Sequence, residues 1–175
     1  MLALQGPRAQ AVLQQLTDFD LRGMKRFEAD FMKVVNMELL VSRTGYTGED
    51  GFELYLMDEP ASDPRRAEKL WNAIMDAGKM SGIKPCGIGA RDTTRLEAGY
   101  VLYGNELTED ITPLEARISY AVKLDKGEFI GREALREQKN VGLKRVRIGL
   151  RMLERGVPRQ NYKFLKEGRE VGYVT

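Results

Sequence analysis

The chain has 175 residues, 42% of them apolar and 31% charged, with a net charge of +2, one cysteine and no histidine. A chain of this size buries roughly 70% of its unfolded surface, enough for one sizeable domain or two small ones, and so even a charge balance gives no reason to expect nucleic acid or a membrane as partner. Without histidine, Ser/His and Cys/His nucleophiles, histidine metal sites and the usual proton carrier near neutral pH are excluded, so chemistry falls to carboxylates, Arg, Lys, Tyr or a cofactor.

No apolar run approaches the ~20 residues of a membrane span, and no signal peptide is visible. The single Cys86 cannot form an intrachain disulfide and fits a reducing compartment, hence the cytoplasm. Set between Pro85 and Gly87, it reads as a buried or incidental thiol rather than a nucleophile.

The predicted elements begin with a short strand, Leu2 to Gly6, cut off at its start. Pro7 suits the first turn of a helix with Ala11, Val12 and Leu16 on one face. Residues 31 to 57 give two or three strands around a glycine-rich loop. Asp63-Pro64 reads as an N-cap and first-turn proline. It opens a helix to about Met80 that buries Leu70, Trp71, Ile74 and Ala77, with Gly82 beyond its end. A short helix spans Ala90 to Ala98, stopped by Gly99; Tyr100 to Tyr103 is extended, and Asn105 to Pro113 forms an acidic loop. Ile118 to Leu124 alternates as a strand, and Gly127 to Gly131 turns into a helix ending near Gln138. Val146, Ile148, Leu150 and Met152 have strand spacing. Lys163 to Leu165 pairs with Glu170 to Thr175 across Lys166-Glu167-Gly168-Arg169.

These elements predict an α+β fold of mainly antiparallel sheets with flanking helices, residues 1–138, then a linker, 139–145, and a second domain from 146 to 175. Two hairpins without further strands leave open edges and half a core, so the chain reads as truncated at both ends.

The most informative stretch is Ser42-Arg43-Thr44-Gly45-Tyr46-Thr47-Gly48-Glu49-Asp50-Gly51-Phe52-Glu53. An ordinary hairpin connection needs only one or two glycines. Gly45, Gly48 and Gly51, interleaved with Tyr46, Glu49 and Asp50, also fit a loop shaped around a ligand. Residue chemistry alone leaves both readings open.

Arg43–Glu53, Gly89-Ala90-Arg91-Asp92-Thr93-Thr94-Arg95-Leu96-Glu97-Ala98-Gly99, Tyr103-Gly104-Asn105-Glu106-Leu107, Thr112-Pro113-Leu114-Glu115-Ala116 and Phe129-Ile130-Gly131-Arg132 occur in that order. Together they resemble the T-protein family of the glycine cleavage system, tetrahydrofolate-dependent aminomethyltransferases. The resemblance implies the latter portion of a folate-binding region, followed by the start of a C-terminal β-barrel. It also implies transfer of an aminomethyl group from the lipoyl arm of an H-protein to tetrahydrofolate, giving methylenetetrahydrofolate and ammonia, without a metal. Under it the pterin-binding glutamate falls on Glu53, its partner arginine on Arg91, and a pocket tyrosine on Tyr46. A cytoplasmic location is implied, or the mitochondrial matrix if the source is eukaryotic.

Against these stand a surface pair between Arg91 and Asp92, and Glu53 as an exposed strand residue. Arg95 and Glu97 read as structural, and Glu115 as a brace, a cap or a packing residue. Asn105, Glu106, Glu109 and Asp110 read as solvated loop charge, and Lys144, Arg145, Arg147, Arg151 and Arg155 as a solvated basic face or a partner surface.

The family's catalytic aspartate lies ahead of the segment that here begins at Leu2, and a further folate-contacting arginine lies beyond Thr175. The resemblance therefore implies a fragment inactive by itself. A folate-dependent demethylase of the same superfamily is one alternative. A non-catalytic folate-binding or partner-binding module is the other. The branch linked to iron–sulfur assembly has a cysteine and a glutamine where Glu128 and Arg132 stand here, which disfavours it.

Overall fold

Alternating apolar residues over 2–5, 29–42 and 51–55 become four antiparallel strands: β1 (Leu2–Gln5), β2 (Ala29–Val34), β3 (Met37–Ser42) and β4 (Gly51–Tyr55). The computed structural model describes residues 1–57, 60 and 62–175, and these divide into two compact units, Met1–Tyr100 and Val101–Thr175.

In the first unit the strand order is β1-β4-β3-β2. The N-terminal strand crosses over to pair with β4, Leu4 facing Phe52 and Ala3 facing Glu53. Met37, Leu39 and Val41 of β3 and Phe52 and Leu54 of β4 point to one face, where they are buried, as the two-residue strand period requires. That face is covered by α1 (Ala9–Leu13) and α2 (Arg65–Gly78), which bury Ala9, Val12, Leu13, Leu70 and Ile74 against it.

The β2–β3 turn uses Val35 and Asn36 with φ of 52° and 60°, the left-handed pair of a two-residue hairpin. A β-branched residue is strained there. In compensation the Val35 N–H donates to the Leu16 carbonyl at 2.9 Å, and the side chain packs against the core.

Three sequence expectations shift here. Ala11 is exposed, because the buried stripe of this one-and-a-half-turn helix is Ala9, Val12 and Leu13. Trp71 is 41% exposed: one residue from Leu70 is about 100° round the helix, which takes it off the Leu70–Ile74 stripe. Pro64, not Asp63, holds the N-cap position of α2, although the Asp63 carboxylate still accepts the Arg65 N–H at 3.4 Å. The helix α3 (Ile88–Glu97) ends at Gly99 with φ of +75°, and the α2 segment ends at Gly82 with φ of +73°, both in the left-handed conformation expected of helix-stopping glycines.

The second unit contains α4 (Arg132–Val141) and the hairpin β5 (Lys163–Lys166) and β6 (Arg169–Tyr173). The hairpin turns where the sequence predicts, and Glu167 and Gly168 at its centre both have positive φ. The predicted strand at 118–124 is instead a single 3-10 turn, Ser119–Ala121. Residues 146 to 152 form no strand either, and Val146, Ile148, Leu150 and Met152 stay exposed. Alternation marks a face, but a strand exists only through a ladder with a neighbour. The described residues of this unit offer these segments no such neighbour.

Phe52 is fully buried and Phe31 is 58% exposed on the opposite sheet face. Denaturant unfolding is therefore expected to show Phe52→Ala destabilised by about 4 kcal/mol, and Phe31→Ala by less than about 1 kcal/mol.

Candidate functional site

The loop between β3 and β4 is organised from inside by Gln5. Its carboxamide donates to the carbonyls of Thr44 at 3.1 Å and Phe52 at 3.4 Å, and accepts from the Thr47 hydroxyl at 3.3 Å. A Cβ on Gly45 would lie 1.9 Å from the Gln5 Oε1, and one on Gly51 would lie 2.5 Å from its carboxamide carbon. Gly48 has φ of +83°, and a Cβ there would meet that of Ala98 at 2.7 Å. The three glycines are therefore shaped by Gln5 and by the end of α3. The sequence reading of a loop moulded directly on a ligand missed this packing.

Arg43 ties the base of the loop to its surroundings. Its guanidinium donates to the carbonyls of Leu21 and Met24, to the Gln10 carboxamide and to both oxygens of Asp50, the last at 2.7 Å. The Arg43 hydrogen bond holds the Asp50 carboxyl below its ordinary value of 3.8, against the opposing pull of burial. Since Asp50 ionises more readily folded than unfolded, its contribution is complete above that ordinary value and is lost as pH falls through the folded value. Asp50→Asn is therefore expected to lower the melting temperature at pH 7 and to differ progressively less from the parent below about pH 4. With Asp50 partly exposed, solvent screening keeps the effect modest.

Glu53 sits on β4 opposite Ser42 of β3. Phe52 and Leu54 turn inward, so Glu53 and Tyr55 share the outer face. There the Glu53 Oε2 accepts from the Thr44 hydroxyl and, at 3.4 Å, from the Tyr55 hydroxyl. Thr44 Oγ1 also lies 3.0 Å from Ser42 Oγ. The other oxygen, Oε1, has no hydrogen bond among the described residues. In the next register position the same face carries Phe31, Leu40 and Tyr55 side by side, an apolar row beside the acid.

Tyr46 projects from the loop between two neighbours. The Arg91 guanidinium of α3 stacks 5.0 Å above its ring, and the Tyr100 ring lies 5.6 Å away at a 30° tilt. The Tyr100 hydroxyl accepts from Arg26 at 3.0 Å. Burial, the charge of Glu53 and the bond donated to it push the Tyr55 phenol above its usual value of 10, while Arg91 pulls the other way. Arg91 and Glu53 therefore act on one phenol. Glu53→Gln is expected to bring the Tyr55 titration, followed by 13C NMR of the tyrosine rings, down towards 10; a Tyr55 titration that does not move would separate the two groups.

The alternative pairing of Arg91 with Asp92 is not formed. Asp92 accepts from Arg95 at 2.8 Å, and Arg95, only 1% exposed, also donates to the Tyr100 carbonyl at 3.2 Å. Sequence reasoning missed Gln5, Thr44 and Tyr55. Strand period alone puts Tyr55 beside Glu53, so that signal was available; nothing local announces Gln5.

In the second unit, Glu115 is a cap. Its carboxylate accepts the Thr112 N–H at 2.9 Å, the Thr112 hydroxyl accepts the Glu115 N–H at 3.3 Å, and Arg145 pairs with it at 3.0 Å. This is the reciprocal pairing of a capping box, made here around a turn rather than at a helix N-terminus. Burial raises the Glu115 carboxyl, but these donors outweigh burial and leave it lowered. Glu106 is not solvated loop charge: it is 4% exposed and accepts the Leu102 N–H at 2.9 Å. Arg145 is likewise drawn out of the proposed basic face by Glu115, the Tyr173 hydroxyl and the Asp110 carbonyl. Glu128 pairs with Arg132, and Cys86 is exposed rather than buried.

A separate shallow depression of about 680 Å³ is lined by Gln10, Gln14, Asp18, Asp20, Arg22 and Asp50, and shares only Asp50 with the loop. Among the described residues, no group of three or more Cys, Asp and Glu could hold a metal, and no helix is long and apolar enough to cross a membrane.

Comparison with known proteins gives one consistent answer. The profile of the GCVT N-terminal domain matches residues 1–126. Aminomethyltransferases of Caldanaerobacter subterraneus subsp. tengcongensis and Thermoanaerobacter sp. strain X514 are 54% and 52% identical over 99% of this chain, covering 45% and 46% of their own lengths. The crystal structure of the glycine cleavage system aminomethyltransferase T from Bartonella henselae superposes with a TM-score of 0.78 at 33% identity, over 97% of this chain and 45% of that one. The chain thus spans less than half the length of the relatives it matches.

Proposed function

Because this chain belongs to the GCVT aminomethyltransferase family, we propose that its first unit supplies the pterin-binding part of an enzyme that transfers an aminomethyl group from the lipoyl arm of an H-protein to tetrahydrofolate. The observation that carries this reading is Glu53: a carboxylate with one oxygen held by hydroxyls and the other open, beside an aromatic face backed by a guanidinium.

The residues fit the group. A pterin edge presents two neighbouring N–H donors, and a carboxylate accepts such a pair with both oxygens. The Tyr46 ring offers a flat apolar surface, and Arg91, fixed over that ring, presents a planar fork of donors for oxygen or nitrogen acceptors. When bound, tetrahydrofolate supplies the nucleophilic nitrogen that receives the one-carbon unit. The protein side chains supply binding and orientation, which removes the entropy of bringing reactants together. No histidine is needed for any of these tasks.

The catalytic carboxylate is, in this reading, contributed by the part of the family's chain that these residues do not span. The stretch from 146 to 175 is the start of a barrel domain that follows the folate-binding region. The protein works in the cytoplasm.

Calorimetric titration with tetrahydrofolate under reducing conditions tests the assignment. The parent chain is expected to bind saturably, Glu53→Gln about tenfold or more weakly, and neither to turn over with lipoylated carrier. Equal binding by parent and Glu53→Gln would remove Glu53 from the site.

A further inference from the structure

The two hydroxyls on Glu53 are not equivalent. Both meet the same oxygen, Oε2, which has two lone-pair positions to offer. Thr44 makes the close contact; Tyr55 makes one at 3.4 Å, near the outer limit for a hydrogen bond and correspondingly weak. Among the described residues nothing donates to Oε1. A ligand with two adjacent N–H donors needs one lone pair on each oxygen, so one of the two hydroxyls must yield.

We propose that Thr44 is the positioning residue that holds Glu53 in place throughout binding, and that Tyr55 is a placeholder whose hydroxyl leaves Oε2 when the ligand's second N–H arrives. This deepens the reading of Glu53 as the pterin carboxylate and rests on it.

The surroundings assign these parts. The Thr44 backbone is held by Gln5, and its hydroxyl, which donates to Glu53, lies beside the Ser42 hydroxyl at 3.0 Å. Turning that hydroxyl away costs both of these side-chain contacts. Among the described residues the Tyr55 hydroxyl has only the long bond, at the end of a side chain on the outer sheet face, and it loses little by exchanging that bond for water. Before the ligand arrives, it keeps Oε2 from being left with one partner on a half-buried face.

Four variants of the 175-residue chain, Glu53→Gln, Thr44→Val, Thr44→Ser and Tyr55→Phe, are titrated calorimetrically with tetrahydrofolate, with melting temperatures measured alongside. Thr44→Val is expected to bind about tenfold more weakly, Thr44→Ser to recover affinity to within about twofold, and Tyr55→Phe to bind as tightly as the parent or more tightly. Recovery by serine separates the hydroxyl's part from loss of the loop, since both substitutions remove a methyl or a hydroxyl at the same site. Weak binding by Glu53→Gln combined with parental affinity in Thr44→Val overturns the positioning assignment. Tyr55→Phe weakened as much as Glu53→Gln overturns the placeholder. A parent chain that does not bind, or a Glu53→Gln variant that binds as the parent does, overturns the underlying reading and this inference with it.

Discussion

The carboxamide of Gln5 lies inside the loop that follows β3, bonded to the carbonyls of Thr44 and Phe52 and to the Thr47 hydroxyl. These contacts join the first strand, the loop and the fourth strand into one unit. They also dictate glycine at positions 45 and 51, where any side chain would displace the carboxamide. Thr44 and Tyr46 are held in place by that packing, and Glu53 follows one residue after the carbonyl that Gln5 fixes. The outward-facing site thus depends on a polar group facing in.

Arg43 completes the support. A guanidinium has five donors in a rigid plane, and here they reach Asp50, Gln10 and two carbonyls of the segment that crosses under the sheet. Such a group organises several chain segments at once because its geometry is fixed before folding. With the loop anchored at Arg43 and filled by Gln5, the acid and the aromatic face sit on a rigid scaffold rather than on a flexible connection. This is what a binding site gains from preorganisation.

The outer face of the sheet then acquires a division of labour. The Ser42–Glu53 pair is polar, with the Thr44 hydroxyl beside it, while the adjacent Phe31–Leu40–Tyr55 row is largely apolar. An antiparallel sheet with one face on the core ordinarily shows water a polar second face. The apolar row beside Glu53 departs from that pattern in the way a surface made for a flat, amphipathic ligand would. Tyr46, in contact with Arg91 and Tyr100, adds an aromatic ring from the loop.

Alternation of apolar residues in 37–41 and 51–55 was enough to place the inner strands and to turn Phe52 and Leu54 inward. The turn at Lys166-Glu167-Gly168-Arg169 was legible from its residues, and the glycine loop carried the resemblance to a family. The fate of the segments 118–124 and 146–152 and the pairing of Glu115 with Arg145 were not legible, because each depends on partners distant in sequence. Periodicity is a property of neighbours along the chain, so the sequence by itself determined which face of each inner strand is apolar, where the helices stop and that Glu53, Arg91 and Tyr46 are the residues to examine. Which alternating segments found a strand to pair with, which charge was buried, and the packing of Gln5 and Ala98 against the glycines were decided only by tertiary structure, since hydrogen bonds and close packing are satisfied by whatever the fold brings near.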